Sequence, residues 1–249
     1  MFAVALGIVL ATAAAFHLLS KEPPHPGKRQ TAKEMLSVFT QPDCLWFCLI
    51  YSVTFGGFVG FASFLSIFFF DQYGIGGIAA ANFTALCVFS GSFFRPVGGY
   101  LSDRAGGFRV LAVLMGFILV CLGLLGFLPP LPVAVAIFLV LMGSLGMGNG
   151  SVFQLVPQRF ARQIGLMTGI VGAAGGFGGF FLPTLMGALK GKLGSFGPAF
   201  WVLGVFVMMA FGALLQVQRS LARRRRIGGS LFFCRGFDVD HNVDFVAEH

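Results

Sequence analysis

Phe93-Phe94-Arg95-Pro96-Val97-Gly98-Gly99-Tyr100-Leu101-Ser102-Asp103-Arg104-Ala105-Gly106-Gly107-Phe108-Arg109 decides how the chain is read. It starts inside an apolar segment and ends in a basic turn, so it carries a full cation, Arg95, into the membrane. Asp103 must lie near the water boundary. Counting back from it at the helical rise puts Arg95 roughly 12 Å deep in a hydrocarbon layer about 30 Å thick. An arginine there costs about 2.5–3.5 kcal/mol on an insertion scale, so its guanidinium must face a protein interior or a watery cavity and hold something anionic. Pro96 has no amide for the carbonyl of Ser92, which leaves an acceptor free beside the guanidinium. The stretch reads as an anion pathway with one arginine as its ligand.

The composition around it agrees. Of 249 residues, 57% are hydrophobic and 10% charged, which excludes an ordinary soluble domain and predicts an all-α, polytopic membrane helix bundle in the lipid bilayer. A net charge of +8 would suit nucleic acid, but its placement excludes that partner. Lys21, Lys28, Arg29 and Lys33 lie in the polar stretch 20–43, and Arg104 and Arg109 flank the 102–109 turn. Arg159 and Arg162 follow the span 133–156, and Arg219, Arg223 to Arg226 and Arg235 crowd the end of the chain. The connections between these, 71–77, 128–132 and 189–197, carry only Lys190 and Lys192. By the positive-inside rule the basic side and the C-terminus are cytoplasmic, in a multi-pass protein of the inner (plasma) membrane.

Residues 1–19 are apolar and predict a transmembrane helix; a signal peptide would need a basic n-region and a cleavage site. Residues 20–43, with Pro23, Pro24 and Pro26, predict a cytoplasmic loop between bundles. A six-helix bundle is expected over 44–218, with spans near 44–70, 78–100, 110–128, 133–156, 164–189 and 198–217, before a basic cytoplasmic tail at 219–249. The 110–128 span lacks polar marks and reads as a lipid-facing support helix. Cys44, Cys48, Cys87, Cys121 and Cys234 read as small core residues, so neither metal nor disulfide is expected. No cofactor is expected, and no clustered nucleophile, base and acid suggests an enzyme.

Tyr51 and Phe55 are four apart and share a helix face, which simple packing would also explain. Asn149, among Gly146, Gly148 and Gly150, either bridges helices or lines a cavity. Gly165, Gly169, Gly172, Gly176 and Gly179 recur at intervals of 4, 3, 4 and 3, with Gly175 and Gly178 beside them. That spacing predicts a side-chain-free strip that another helix or a small ligand can approach.

Gly99-x-x-x-Asp103-Arg104-x-Gly106 resembles the loop motif of the major facilitator superfamily, whose logic is close helix approach at the glycine and an acid meeting a neighbouring helix N-terminus. Together with Arg95-Pro96-x-Gly98-Gly99, the run Gly146 to Phe153 and the strip Gly169 to Phe180, the pattern is similar to the nitrate/nitrite porter family. The resemblance covers residues 1 to about 217. It implies one major facilitator half of about seven transmembrane helices, the C-terminal half of a twelve-helix carrier, with the missing N-terminal half as its partner. It also implies that Arg95 is one of two arginines clamping nitrate or nitrite, helped by Tyr51 and Phe55, with Gly172, Gly175 and Gly176 in the nitrate signature. Gly99, Asp103, Arg104 and Asn149 would be motif or gating positions.

All nine acidic residues lie in loops, termini or span boundaries, so nitrate/nitrite exchange is expected over proton symport. Two other readings stay open: a facilitator carrier for another small or organic anion, and a membrane remnant that binds or associates without transporting.

Overall fold

A computed structural model describes residues 2–20, 42–160 and 164–234. The expected loop therefore lies outside the described residues except for Ser20, Pro42 and Asp43, and so does the tail from 235 onward. The chain divides into two units, residues 1–38 and 39–249. In the first, α1 runs Phe2–Leu19; its apolar stretch Leu6–Leu19 is the shortest of the apolar helices. The second contains α2 (Pro42–Tyr73), α3 (Gly77–Ala105), α4 (Gly107–Leu125), α5 (Leu131–Arg159), α6 (Ile164–Leu193) and α7 (Gly197–Cys234). Those 6 helices are long and apolar enough to cross a membrane. An all-helical solution is what lipid requires, since no water is there to satisfy backbone amides and carbonyls.

The helices overrun the expected spans. α3 continues through Asp103 and Arg104, which therefore sit in its last turn, and the chain breaks only at Gly106, whose φ of +88° is strained for any residue with a side chain. α7 runs past its expected end near Val217, through the arginine cluster to Cys234. α4 is not a mere lipid-facing support: Leu111, Met115, Ile118, Leu122 and Leu125 are buried on one face, packed towards α5 and α7.

Two seams of small residues hold the second unit together. Between α3 and α5, a methyl on Gly98 would overlap the Met147 carbonyl, and one on Gly146 would overlap the Gly91 carbonyl. Ser151 Oγ donates to the Gly98 carbonyl across this seam at 3.2 Å, and Ser90 Oγ to Leu139 O at 3.1 Å. Between α2 and α6, a methyl on Gly56 would come within 2.7 Å of the Gly178 backbone, and Ser52 Oγ donates to Ala174 O at 3.0 Å. Backbone contact of this kind drives helix association where lipid removes the hydrophobic incentive.

Several of the abundant Phe residues form a separate aromatic knot. Phe68 lies 5.3–5.4 Å from the rings of Phe138, Phe196 and Phe200, joining α2, α5 and α7. Beyond it Tyr73 donates to Pro129 O at 2.6 Å, and Lys190 pairs with Asp71, tying the end of α6 to that of α2. The pair is about one-third exposed, so it adds little stability.

Candidate anion site

Arg95 is carried by α3 and is half-buried. Its Cζ lies 5.8 Å from the ring centre of Phe55 and 5.5 Å from that of Phe58, both on α2. At such distances an aromatic face attracts a cation. Its Nε is buried without a hydrogen-bond partner, and no carboxylate pairs with it among the described residues.

Tyr51, 3% exposed, stacks on Phe55 with ring centroids 5.0 Å apart and planes at 4°. Phe153 of α5 meets Tyr51 edge-on at 5.0 Å. Gly175 of α6 backs this stack: a methyl there would come within 2.6 Å of the Tyr51 ring and 2.8 Å of the Phe55 ring. Arg95, Tyr51, Phe55 and Gly175 are thus brought together. Gly172 and Gly176 are not pressed against the stack, since a methyl on either meets nothing within 4 Å. The expected glycine strip divides accordingly. Gly175, Gly178 and Gly179 meet α2, whereas Gly165, Gly169, Gly172 and Gly176 leave open space.

Asn149 is 1% exposed, and neither its side-chain nitrogen nor its oxygen has a partner. Thr54 is equally buried, with Oγ1 unpartnered. At the end of α3, Gln154 Nε2 donates to Asp103 Oδ1 at 2.7 Å, and the Arg104 guanidinium lies 4.6 Å from the Tyr100 ring centre. Asp103 thus meets a side-chain amide near the C-terminal end of α5. Both glycines, Gly98 and Gly99, lie at the close approach of α3 and α5, but only Gly98 aims its side-chain position at the partner: a methyl on Gly99 would make only ordinary contact, 3.9 Å from Gly150 O, while the Gly99 amide lies 2.9 Å from a methyl built on Gly150.

Two cavities lie away from the arginine. One of about 330 Å³ is apolar, between Val53 and Phe61 of α2, Ile118 of α4, Phe181 of α6 and Phe206 of α7. The other, about 620 Å³, separates Cys44 and Cys48 from Gly165 and Gly169. Neither is lined by a charged side chain.

Residues 1–181 match the family model described as Major Facilitator Superfamily. The chain belongs to that superfamily. This major facilitator chain is 31% identical over 205 residues to the nitrite extrusion protein of Bacillus subtilis, covering 82% of itself and 52% of that protein. It is 32% identical over 206 residues to the probable nitrate/nitrite antiporter NarK1 of Thermus thermophilus, covering 75% of itself and 46% of that protein. With the probable nitrate/nitrite transporter NarK2 of Mycobacterium tuberculosis it shares 42% identity over 141 residues, 56% of this chain and 36% of that one. The facilitator chain thus spans about half the length of the first two relatives. As a member of this superfamily it is a multi-pass membrane protein from a family of transporters, not of enzymes.

Sequence reasoning missed Phe58, Phe153 and Thr54. Their spacing placed them without marking them: Phe58 is seven residues from Tyr51 and Thr54 three, both on the Tyr51 face of α2, and Phe153 lies one turn beyond Asn149.

Proposed function

We propose that this chain is the C-terminal half of a nitrate/nitrite carrier, and that Arg95 holds the anion as it passes between the two halves. The observation that carries the reading is a guanidinium without an acidic partner among the described residues, set over the Phe55 and Phe58 rings beside the Tyr51–Phe55 stack. Nitrate and nitrite are planar, and the two Nη groups of a guanidinium donate in parallel to two of their oxygens, which a lysine cannot do. Phe faces flank such an anion without competing for it. Gly172 and Gly176 leave room on α6 for the anion's approach, and Gly175 holds Tyr51 and Phe55 in place. Gly99, Asp103, Arg104 and Asn149 are the motif and gating positions of this half. The basic ends of the helices, the C-terminus among them, lie in the cytoplasm. The relatives' names support the substrate class, and their length supports a second half as partner.

Titration of the purified chain in detergent with nitrate and with chloride tests the assignment. Nitrate should bind more tightly than chloride, and Arg95→Lys should weaken nitrate about tenfold or more, the scale of a lost charge-assisted bond. Equal affinity for the two anions, or an Arg95→Lys chain that binds nitrate as well as the unaltered one, removes the reading.

A further inference from the structure

Among the described residues, the buried polar atoms without partners include Arg95 Nε, Asn149 Oδ1, Asn149 Nδ2 and Thr54 Oγ1, besides Ser102 Oγ and Gln154 Oε1 nearer the end of α3. Helix geometry turns the first four towards one another. On α5, Gly148 faces Thr54 of α2, 2.8 Å from its Cγ2 to a methyl built there, while Gly150 abuts the backbone of Arg95 and Gly99 on α3. At about 100° per residue, Asn149 points into the angle between those two directions. Phe153, one turn further along the same face, reaches Tyr51 in that same angle. On α2, Thr54 shares its face with Tyr51 and with Phe58, which lies under the guanidinium.

The set is chemically complementary. Nε–H donates, Oδ1 accepts, Nδ2–H donates and a hydroxyl does both. A buried water makes about three hydrogen bonds to such groups. We infer that Asn149 and Thr54 anchor Arg95 from behind through one shared water, so that its Nη fork is held in the plane the anion needs. Asn149 is then a positioning residue acting through Arg95, not a ligand of the anion. The inference rests on the reading of Arg95 as the anion's ligand. It explains why a side chain with two hydrogen-bonding ends is enclosed by glycines at a place where an aliphatic one would pack without orphaned atoms.

The test uses the purified chain, titrated with nitrate and chloride and melted without either. Asn149→Leu should lower the preference for nitrate over chloride about tenfold while chloride affinity changes little, because an unanchored fork still attracts a sphere but no longer matches a planar anion. Thr54→Val should act in the same direction, more weakly. Asn149→Asp should pair with Arg95, weakening nitrate binding and raising the unfolding temperature, and the rise should vanish in an Arg95→Gln background. An unchanged nitrate-to-chloride ratio in Asn149→Leu overturns the inference, as does a thermal effect of Asn149→Asp that is the same with and without Arg95. Thermal coupling in a chain that binds no nitrate at all overturns the anion reading instead and leaves the support of Arg95 by Asn149 standing.

Discussion

Single methyl groups separate the roles of neighbouring glycines on α6. Gly175 has the Tyr51 and Phe55 rings within 2.6 and 2.8 Å of the place a methyl would take, so Gly175→Ala must displace the stack that flanks Arg95. Gly172 and Gly176, with nothing within 4 Å, can accept the same methyl at no steric cost. Gly175→Ala is therefore expected to lower both the unfolding temperature and nitrate affinity. Gly172→Ala and Gly176→Ala should leave unfolding unchanged and weaken nitrate alone, by narrowing the approach. Thermal melts paired with nitrate titration check all three. Unaltered nitrate affinity in both Gly172→Ala and Gly176→Ala would take these two glycines out of the site.

The α3–α5 seam is set by backbone against backbone, and a backbone cannot rotate out of the way. Gly98→Ala would drive its methyl into the Met147 carbonyl, and overpacking of that kind costs about 1–3 kcal/mol. Gly99→Ala, one residue on, meets only Gly150 O at 3.9 Å and should stay within about 0.5 kcal/mol of the unaltered chain. Denaturation of the two variants side by side distinguishes them, and equal stabilities would mean that the seam is looser than described. The motif marks Gly99, whose backbone Gly150 approaches, but a one-residue step turns a helix by about 100° and decides that the Cβ direction of Gly98, not of Gly99, meets the partner backbone. Hydropathy located every span of the second unit, since lipid leaves the backbone no alternative to a helix. It could not show that α4 buries Leu111 to Leu125 on one face, because a face turned to lipid is as apolar as one turned to a neighbouring helix. Arg95 could be singled out from the residues alone because a full cation inside a membrane span is costly, whereas Tyr51 and Phe55 were singled out through the family resemblance, their spacing being equally that of ordinary packing. Phe58 and Thr54 were not read, because a further Phe and a lone Thr look like ordinary packing until the guanidinium's position is known.

Charge placement over the whole molecule bears on how an anion could be driven across. The acidic side chains described at helix ends are engaged there, Asp71 with Lys190 and Asp103 with Gln154. Among the described residues none stands beside Arg95. On the proposed reading, with no carboxylate beside the guanidinium among the described residues, a second anion is the simpler means of resetting it between crossings. A positive site left empty in low-dielectric surroundings is costly, which favours return in the loaded state and hence exchange. When the chain is reconstituted in vesicles with its complementary half, external nitrate should release internal labelled nitrite at a rate unchanged by collapsing the proton gradient. Release that stops when the gradient is collapsed would place a proton-carrying group in the pathway and make symport the mechanism.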